Sequence, residues 1–316
     1  MMWLPHGTLT DTSSFCSTQG DCTFDMELNS VKVLTPARAA GTVVLLRDGE
    51  QGLEVFMVRR HSASDVLGGA YVFPGGKVDE LDASPDLAAL LDQPSEQLRK
   101  LLNEPDLTVS AAAALYVAAM REAFEECGIL FAGRTDASWA TATDKLALQA
   151  APFGLALAAA GLSLRTLDMQ PWSRWITPLI PSVSTKRFDT RFFVAQLPPD
   201  QVALHDNLEA TESAWLTPRS ALHQYWAGEM ALAPPQIMSL SHLSRYRNAQ
   251  EVLQAARASP PPVVFPQPQD VDGQRVICYP GDPGHTVTTR ALPGPTRLVY
   301  RNRRFEPLGG FDALFN

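Results

Sequence analysis

The sequence predicts an α/β fold, a mixed sheet with helices packed against it. Two strand-like runs, Thr42–Leu46 and Leu53–Val58, flank the turn signal Asp48-Gly49-Glu50-Gln51-Gly52. A helical pattern then fills Ala111–Cys127, with Ser110 positioned to cap its start and Gly128 to end it. Strand patterns return at Trp172–Thr177, Arg187–Leu197 and Ala210–Leu216. Strands that frame a long helix and then resume point to a sheet covered by helices.

The remaining elements follow from local composition. Residues 1–35 are polar, Ser/Thr-rich and aperiodic, a loose tail. Tyr71–Gly76 is a short strand ending in a glycine turn. Two Pro-flanked helical runs, Leu87–Leu91 and Gln97–Leu102, belong to a peripheral insertion at about 83–109. Ala137–Leu164 is Ala/Leu-rich and helical, and helices are expected at Arg219–Ala227, Pro235–Tyr246 and Ala249–Ala256. Pro260, Pro261, Pro262, Pro266 and Pro268 make a stiff, extended linker. Short strands are expected beyond it at Arg275–Tyr279, Thr286–Arg290 and Thr296–Tyr300. The domain is therefore placed at 36–256, with the linker and a C-terminal extension over 257–316.

Of the 316 residues, 45% are hydrophobic and 19% charged, enough apolar material for a sizeable core. A formal net charge of −8 argues against nucleic acid or an anionic membrane as partner. A small anionic substrate stays open, because a bound cation reverses the local sign. The four cysteines (Cys16, Cys22, Cys127, Cys278) are too scattered for a disulfide framework. No apolar run approaches a membrane span, and the N-terminus lacks a signal-peptide pattern. A reducing cytoplasm is the simplest home.

Chemistry concentrates in two pieces, Gly75-Gly76-Lys77-Val78-Asp79 and Arg121-Glu-Ala-Phe-Glu-Glu-Cys-Gly-Ile129. On a helix, Glu122, Glu125 and Glu126 share one face, and Arg121 lies one turn from Glu125. Glu125 and Glu126 fall in the last turn, where the helix dipole disfavours anions by up to ~1 kcal/mol each. Arg121 alone cannot neutralise three carboxylates, whereas a hard divalent cation with oxygen ligands can. Gly75-Gly76 would let backbone approach this helix, and a main-chain carbonyl there, at Gly75, is a further candidate ligand.

The run Arg121–Ile129 resembles the second half of the Nudix box, Arg-Glu-U-x-Glu-Glu-x-Gly-U with U apolar, and Gly76 matches the glycine that opens it. The resemblance implies a Nudix-type α/β/α sandwich in which Glu122, Glu125 and Glu126 bind Mg2+ or Mn2+. Asp82 stands where the box carries a Glu that orients its Arg, which leaves the Asp82–Arg121 pairing open. Thirty-eight residues separate Asp82 from Arg121, thirty-one more than in the uninterrupted box. An interrupted box, together with Gly69-Ala-Tyr-Val-Phe-Pro-Gly-Gly76, resembles the Nudix-motif-19 type of coenzyme A diphosphatase. The similarity extends from about Ala40 to Leu216.

That resemblance implies hydrolysis of a diphosphate bond in a small nucleotide-linked substrate, with CoA or acyl-CoA as the leading candidate. An ADP-ribose, NADH or nucleotide-sugar diphosphatase and a catalytically inactive binding module are the alternatives, and a homodimer stays open. Arg121 would support catalysis, and Glu125 or Glu209 would act as general base. Glu209 is preferred over Glu212 as the extra acidic residue ahead of Trp215. Arg59, Arg60, His61, Gly76 and Lys77 are candidates for holding phosphates. Cys127, among acidic neighbours, is a packing residue. The insertion leaves and re-enters beside the box, which suits a lid or wall over the substrate.

Overall fold

The computed structural model describes residues 28–64, 67–133, 152–206 and 209–316. β1 (Arg38–Gly49) and β2 (Gly52–Arg60) form the expected hairpin. Their side chains alternate between two cores: Val43 and Leu45 face one, Val44 and Leu46 the other.

The Tyr71–Gly76 stretch is two strands and not one strand closed by a turn. β3 (Tyr71–Val72) pairs with β2, whereas β4 (Gly75–Lys77) pairs with β1, setting Gly76 opposite Gly41. Pro74, which has no N–H to give a ladder, stands between them. After a 3₁₀ turn at Glu80–Ala83, the insertion supplies α1 (Pro85–Ala88) and α2 (Ser95–Leu102).

α3 (Val109–Cys127) carries the box carboxylates. Its cap is Thr108 and not Ser110: the Thr108 hydroxyl accepts the Ala111 N–H at 3.1 Å, and Gly128 closes the far end at φ 68°. An alanine-rich face lets α3 lie close on the sheet. A Cβ on Gly41 would sit 3.0 Å from both the Ala119 Cβ and the Leu115 carbonyl oxygen.

Most of the helix expected over Ala137–Leu164 lies outside the described residues. Its described end is α4 (Phe153–Ala160), followed by β6 (Ser163–Leu164), which pairs with β5 (Ala132–Gly133). β7 (Met169–Ile176), β8 (Phe188–Gln196) and β9 (Ala210–Leu216) come close to the expected ranges. So do α5 (Pro218–Ala227), α6 (Pro234–Leu243) and α7 (Ala249–Ala258).

Residues beyond α7 are built into the fold. β10 (Val263–Val264) pairs in parallel with β7, so the main sheet runs β10-β7-β8-β1-β2-β3, with β4 on β1 and β9 on β2. β8 lies parallel to β1, while the β1–β2, β2–β9 and β7–β8 pairs are antiparallel. β11 (Gln267–Val271), β12 (Gln274–Cys278), β13 (Arg297–Arg301) and β14 (Arg304–Pro307) form a second, antiparallel sheet. Its Ile277, Leu298 and Phe305 join the core of Val44 and Leu46. The prolines read as a linker thus sit beside and within strands. The strand expected at Thr286–Arg290 does not form, because the Val287 N–H is bound by the His285 ring nitrogen at 2.9 Å.

Helices cover both faces of the main sheet: α3 with the insertion on one, α5 to α7 on the other. This is the α/β/α sandwich expected. The insertion buries Leu87, Leu98 and Leu102 against α3. Glu104 then pairs with Arg174 at 2.8 Å and accepts the Arg191 Nε–H at 2.9 Å. Residues 1–27 of the expected tail are outside the described residues. Those from 28 onward are docked, with the Asn29 N–H donating to the Ser182 carbonyl. Among the described residues, no helix is long and apolar enough to cross a membrane.

Candidate active site

The two halves of the box meet where β4 crosses α3. Glu126, 6% exposed, accepts the Gly75 N–H at 2.9 Å. Gly76 packs directly on Glu122, so a Cβ there would occupy the position of the Glu122 carboxylate. The requirement for glycine is steric: backbone must lie where any side chain would displace a functional group.

Arg121 organises the other carboxylates. Its Nε and Nη2 donate to the two Asp82 oxygens at 2.9 and 3.0 Å, and its Nη1 donates to Glu122 at 2.9 Å and Glu125 at 2.8 Å. Asp82, 2% exposed, also accepts the Asp79 N–H at 2.8 Å. Asp82 therefore bonds the box Arg in spite of its shorter side chain. Burial works against the Arg121 charge, yet Asp82, Glu122 and Glu125 more than offset it and hold the guanidinium protonated.

Burial pushes Glu122 up to about 7, although Arg121 counters it. Glu126 rises to about 8, again through burial, with the Gly75 N–H opposing and Glu122 adding to the rise. Both carboxyls are thus held toward their protonated form, mainly by burial. Among the described residues, no three acidic side chains form a ready-made ion cage, since Arg121 draws Glu122 and Glu125 to itself. The oxygen donors of Glu122 and Glu126 beside a glycine-only backbone still fit a hard cation, which would replace the proton that burial favours.

A cavity of about 470 Å³ opens on this cluster. Glu122, Glu126, Glu209, Gly75, Gly76, Lys77 and Arg60 all line it. Glu125 and Arg121 do not; Glu125 is exposed and tied to Arg121. Glu209 and Glu212 lie apart: Glu209 lines the cavity 3.8 Å from Arg60, and Glu212 pairs with Arg59 at 3.5 Å. Adjacent strand residues point to opposite faces, so Arg59 is turned away while Arg60 faces in. His61 also lies outside the lining, where its Nδ1 accepts the Ala63 N–H. Cys127 is buried, its thiol donating to the Ala123 carbonyl at 2.8 Å, which agrees with a packing role. No residue of the insertion lines the cavity. It braces the outer side of α3, so the expected lid or wall is not seen among the described residues.

Sequence reasoning missed the rest of this cavity. Arg38, Trp175, Lys186, Phe192, Gln236 and Ile277 line it from β1, β7, β8, α6, β12 and the β7–β8 loop. No motif marks these residues, because only tertiary pairing brings them together.

The family described as the NUDT19 Nudix domain matches residues 32–243, more than half of the chain. The chain belongs to this family. Hydrolases of the Nudix superfamily generally use divalent metals. This NUDT19-type Nudix domain is similar to the acyl-coenzyme A diphosphatase NUDT19 of Xenopus laevis, with 28% identity over 234 residues. That match covers 63% of this chain and 62% of the relative. The human acyl-coenzyme A diphosphatase NUDT19 is 28% identical over 239 residues, covering 64% of this chain and 63% of that protein. The chain therefore spans less than two thirds of the length of these relatives. A NUDIX hydrolase from Alicyclobacillus acidocaldarius has the same fold, with a TM-score of 0.57 and 26% identity. It covers 72% of this chain, and 99% of its own length is matched.

Proposed function

We propose that the protein is a divalent-metal-dependent diphosphatase that cleaves CoA or acyl-CoA to adenosine 3′,5′-bisphosphate and (acyl-)4′-phosphopantetheine. One observation carries this reading: a single cavity joins the box carboxylates to an apolar region lined by Trp175 and Phe192. A substrate with a charged diphosphate and a long uncharged arm matches both parts. ADP-ribose and nucleotide sugars have no such arm. The similarity to acyl-coenzyme A diphosphatases supports the same choice.

Glu122 and Glu126, with Glu125 and the Gly75 carbonyl, would hold Mg2+ or Mn2+, and such an ion would supply charge neutralisation for the diphosphate and a more acidic water. Arg121 fixes the carboxylates and is itself fixed by Asp82. Glu209, exposed at the cavity rim, is the candidate to take the proton from the attacking water. Arg60 and Lys77 line the cavity as candidate partners for phosphate oxygens. Water oxygen attacks phosphorus, the bridging P–O bond breaks, and each product keeps one phosphate of the cleaved diphosphate as a phosphomonoester. Retention of Glu122, Glu125 and Glu126 favours hydrolysis over an inactive binding module.

The test is kcat/KM for CoA, 3′-dephospho-CoA and ADP-ribose at one Mg2+ or Mn2+ concentration. CoA should be preferred, and Arg60→Ala should narrow its lead over dephospho-CoA, whereas Arg59→Ala should not. Faster turnover of ADP-ribose than of CoA would overturn the substrate assignment.

A further inference from the structure

The connection between β8 and β9 delivers Glu209 to the cavity, and the apolar side chains at its centre are mostly turned to solvent. Val202 and Leu204 are 70% and 64% exposed, with Ala203 buried between them. A single buried methyl is a weak anchor for a loop of this length. Hydrogen bonds therefore set where Glu209 stands.

The first of these bonds reach the end of α3. Gln201 clamps Leu130 with both ends of its side-chain amide: Oε1 accepts the Leu130 N–H at 3.0 Å, and Nε2 donates to the Leu130 carbonyl at 3.0 Å. The Leu204 N–H then donates to the Cys127 carbonyl at 3.2 Å. A helix leaves its last carbonyls without partners of its own, and here the Glu209 loop supplies one. Cys127 directly follows Glu126, so the turn that carries the buried box carboxylate also carries the loop.

Nearer Glu209, Asp206 takes over. Its carboxylate accepts the Glu209 N–H at 3.2 Å and the Ala210 N–H at 3.3 Å. From the other side, the Glu209 carbonyl accepts the His61 N–H at 2.9 Å, next to the end of β2. The Glu209 backbone is thus held from two directions, while its exposed side chain extends toward Arg60 at 3.8 Å. Neither Gln201 nor Asp206 lines the cavity, so each can act on the chemistry only through what it holds.

We propose that Gln201 and Asp206 are positioning residues that gear Glu209 to the C-terminal turn of α3, so that Glu209 and the box carboxylates keep a fixed separation. The proposal rests on Glu209 as the proton acceptor, as read above, and deepens that reading. A displacement of about 1 Å at a reacting group costs on the order of 100-fold in rate. Slackening this loop therefore lowers kcat and leaves the rest of the cavity lining in place.

The test is a double-mutant cycle in the full chain, using whichever of CoA, 3′-dephospho-CoA and ADP-ribose the wild type turns over fastest. Gln201→Met keeps side-chain length and removes both hydrogen bonds to Leu130. Asp206→Ala removes the second support, and Asp206→Asn restores an accepting oxygen. Gln201→Met and Asp206→Ala should each lower kcat about tenfold with KM within about twofold, and Asp206→Asn should lose less. In a Glu209→Gln background Gln201→Met should cost nothing further, because the group it positions is already gone. An unchanged kcat in Gln201→Met, or the same loss in both backgrounds, would overturn the positioning role and leave Glu209 as base.

Amide hydrogen exchange on the free protein tests the clamp without turnover. Gln201→Met should speed exchange at Glu209 and Ala210 about tenfold relative to the amides of β1, the scale of one lost hydrogen bond. Unchanged exchange there would also overturn the proposal. If Glu209→Gln turns over like the wild type while exchange rises in Gln201→Met, the proton-acceptor reading falls and the clamp stands.

Discussion

Arg121 grips Asp82 with two parallel hydrogen bonds, Nε to Oδ1 at 2.9 Å and Nη2 to Oδ2 at 3.0 Å, across thirty-eight intervening residues. The pair is nearly sealed from water, with side-chain exposures of 11% and 1%. Bidentate, charge-assisted contacts of this kind define an orientation as well as a separation. They keep the box continuous in space although the chain leaves it and returns.

Asp82→Ala should therefore weaken both the fold and the site. Removing one partner of a buried pair costs on the order of 3–5 kcal/mol, reduced here because Glu122 and Glu125 still hold Arg121. A loss of about 2 kcal/mol in urea unfolding is expected, with kcat falling at least ~10-fold as Arg121 shifts. Wild-type stability in this variant would show that the contact contributes nothing.

Glu126→Gln should separate activity from stability in the opposite sense. It removes a buried charge that burial already disfavours and keeps the side-chain shape. The amide oxygen can still accept the Gly75 N–H, so Tm in the presence of chelator should hold or rise. With Mg2+ saturating, kcat should drop by at least ~100-fold, the scale of one lost electrostatic stabiliser. Near-normal turnover would remove Glu126 from the metal site.

Glu104→Gln tests how the insertion is anchored. Arg191 is 4% exposed and depends on Glu104 and Asp189 for its charge balance. Loss of the Glu104 charge should cost about 3 kcal/mol. The KM for CoA should stay within about twofold, because no residue of the insertion lines the cavity. A large rise in KM with stability intact would return the insertion to the role of a lid.

His242 sets a pH limit on stability. Burial, reinforced by Arg245, lowers it to about 4, and its ring stacks on Trp172 at 4.5 Å with Nδ1 unpartnered. In the unfolded chain it binds a proton near its ordinary 6.5, so between about 6.5 and 4 only the unfolded state gains that proton. Stability contributed by neutral His242 is complete above 6.5 and is lost as pH falls, by about 3 kcal/mol in all. His242→Phe, which retains the stack, should flatten this part of the curve relative to wild type in denaturant titrations at pH 7, 5.5 and 4.5. Parallel curves for the two proteins would exclude His242 as the source.

Local periodicity made most of the sheet and α3 legible, since Val43 to Leu46 alternate and Glu122, Glu125 and Glu126 repeat on helical spacing. The same alternation separates Arg59 from Arg60, a signal present in the sequence that assigning both to phosphate overlooks. β11 was hidden by Pro268, which a sheet tolerates because β11 is an edge strand. The apolar half of the cavity was illegible for a different reason. Trp175, Gln236 and Ile277 come to line one cavity only after β10 has paired with β7 and the second sheet has folded onto the first. Each looks like an ordinary core residue in its own segment.

Gly41 has no functional group, yet it acts as a spacer gauge for the candidate site. The clearance between β1 and α3 is set by hydrogen at Gly41 and methyl at Ala119. That clearance also decides how deeply Glu122 and Glu126 reach toward Gly76 and Gly75. One extra carbon at Gly41 would lift the helix and carry the carboxylates with it. Such a variant could fold, keep every polar side chain and still be inert. Inheritance of this chemistry thus depends on preserving an empty volume as strictly as the acids themselves, and a survey restricted to reactive side chains would score the damaging change as silent.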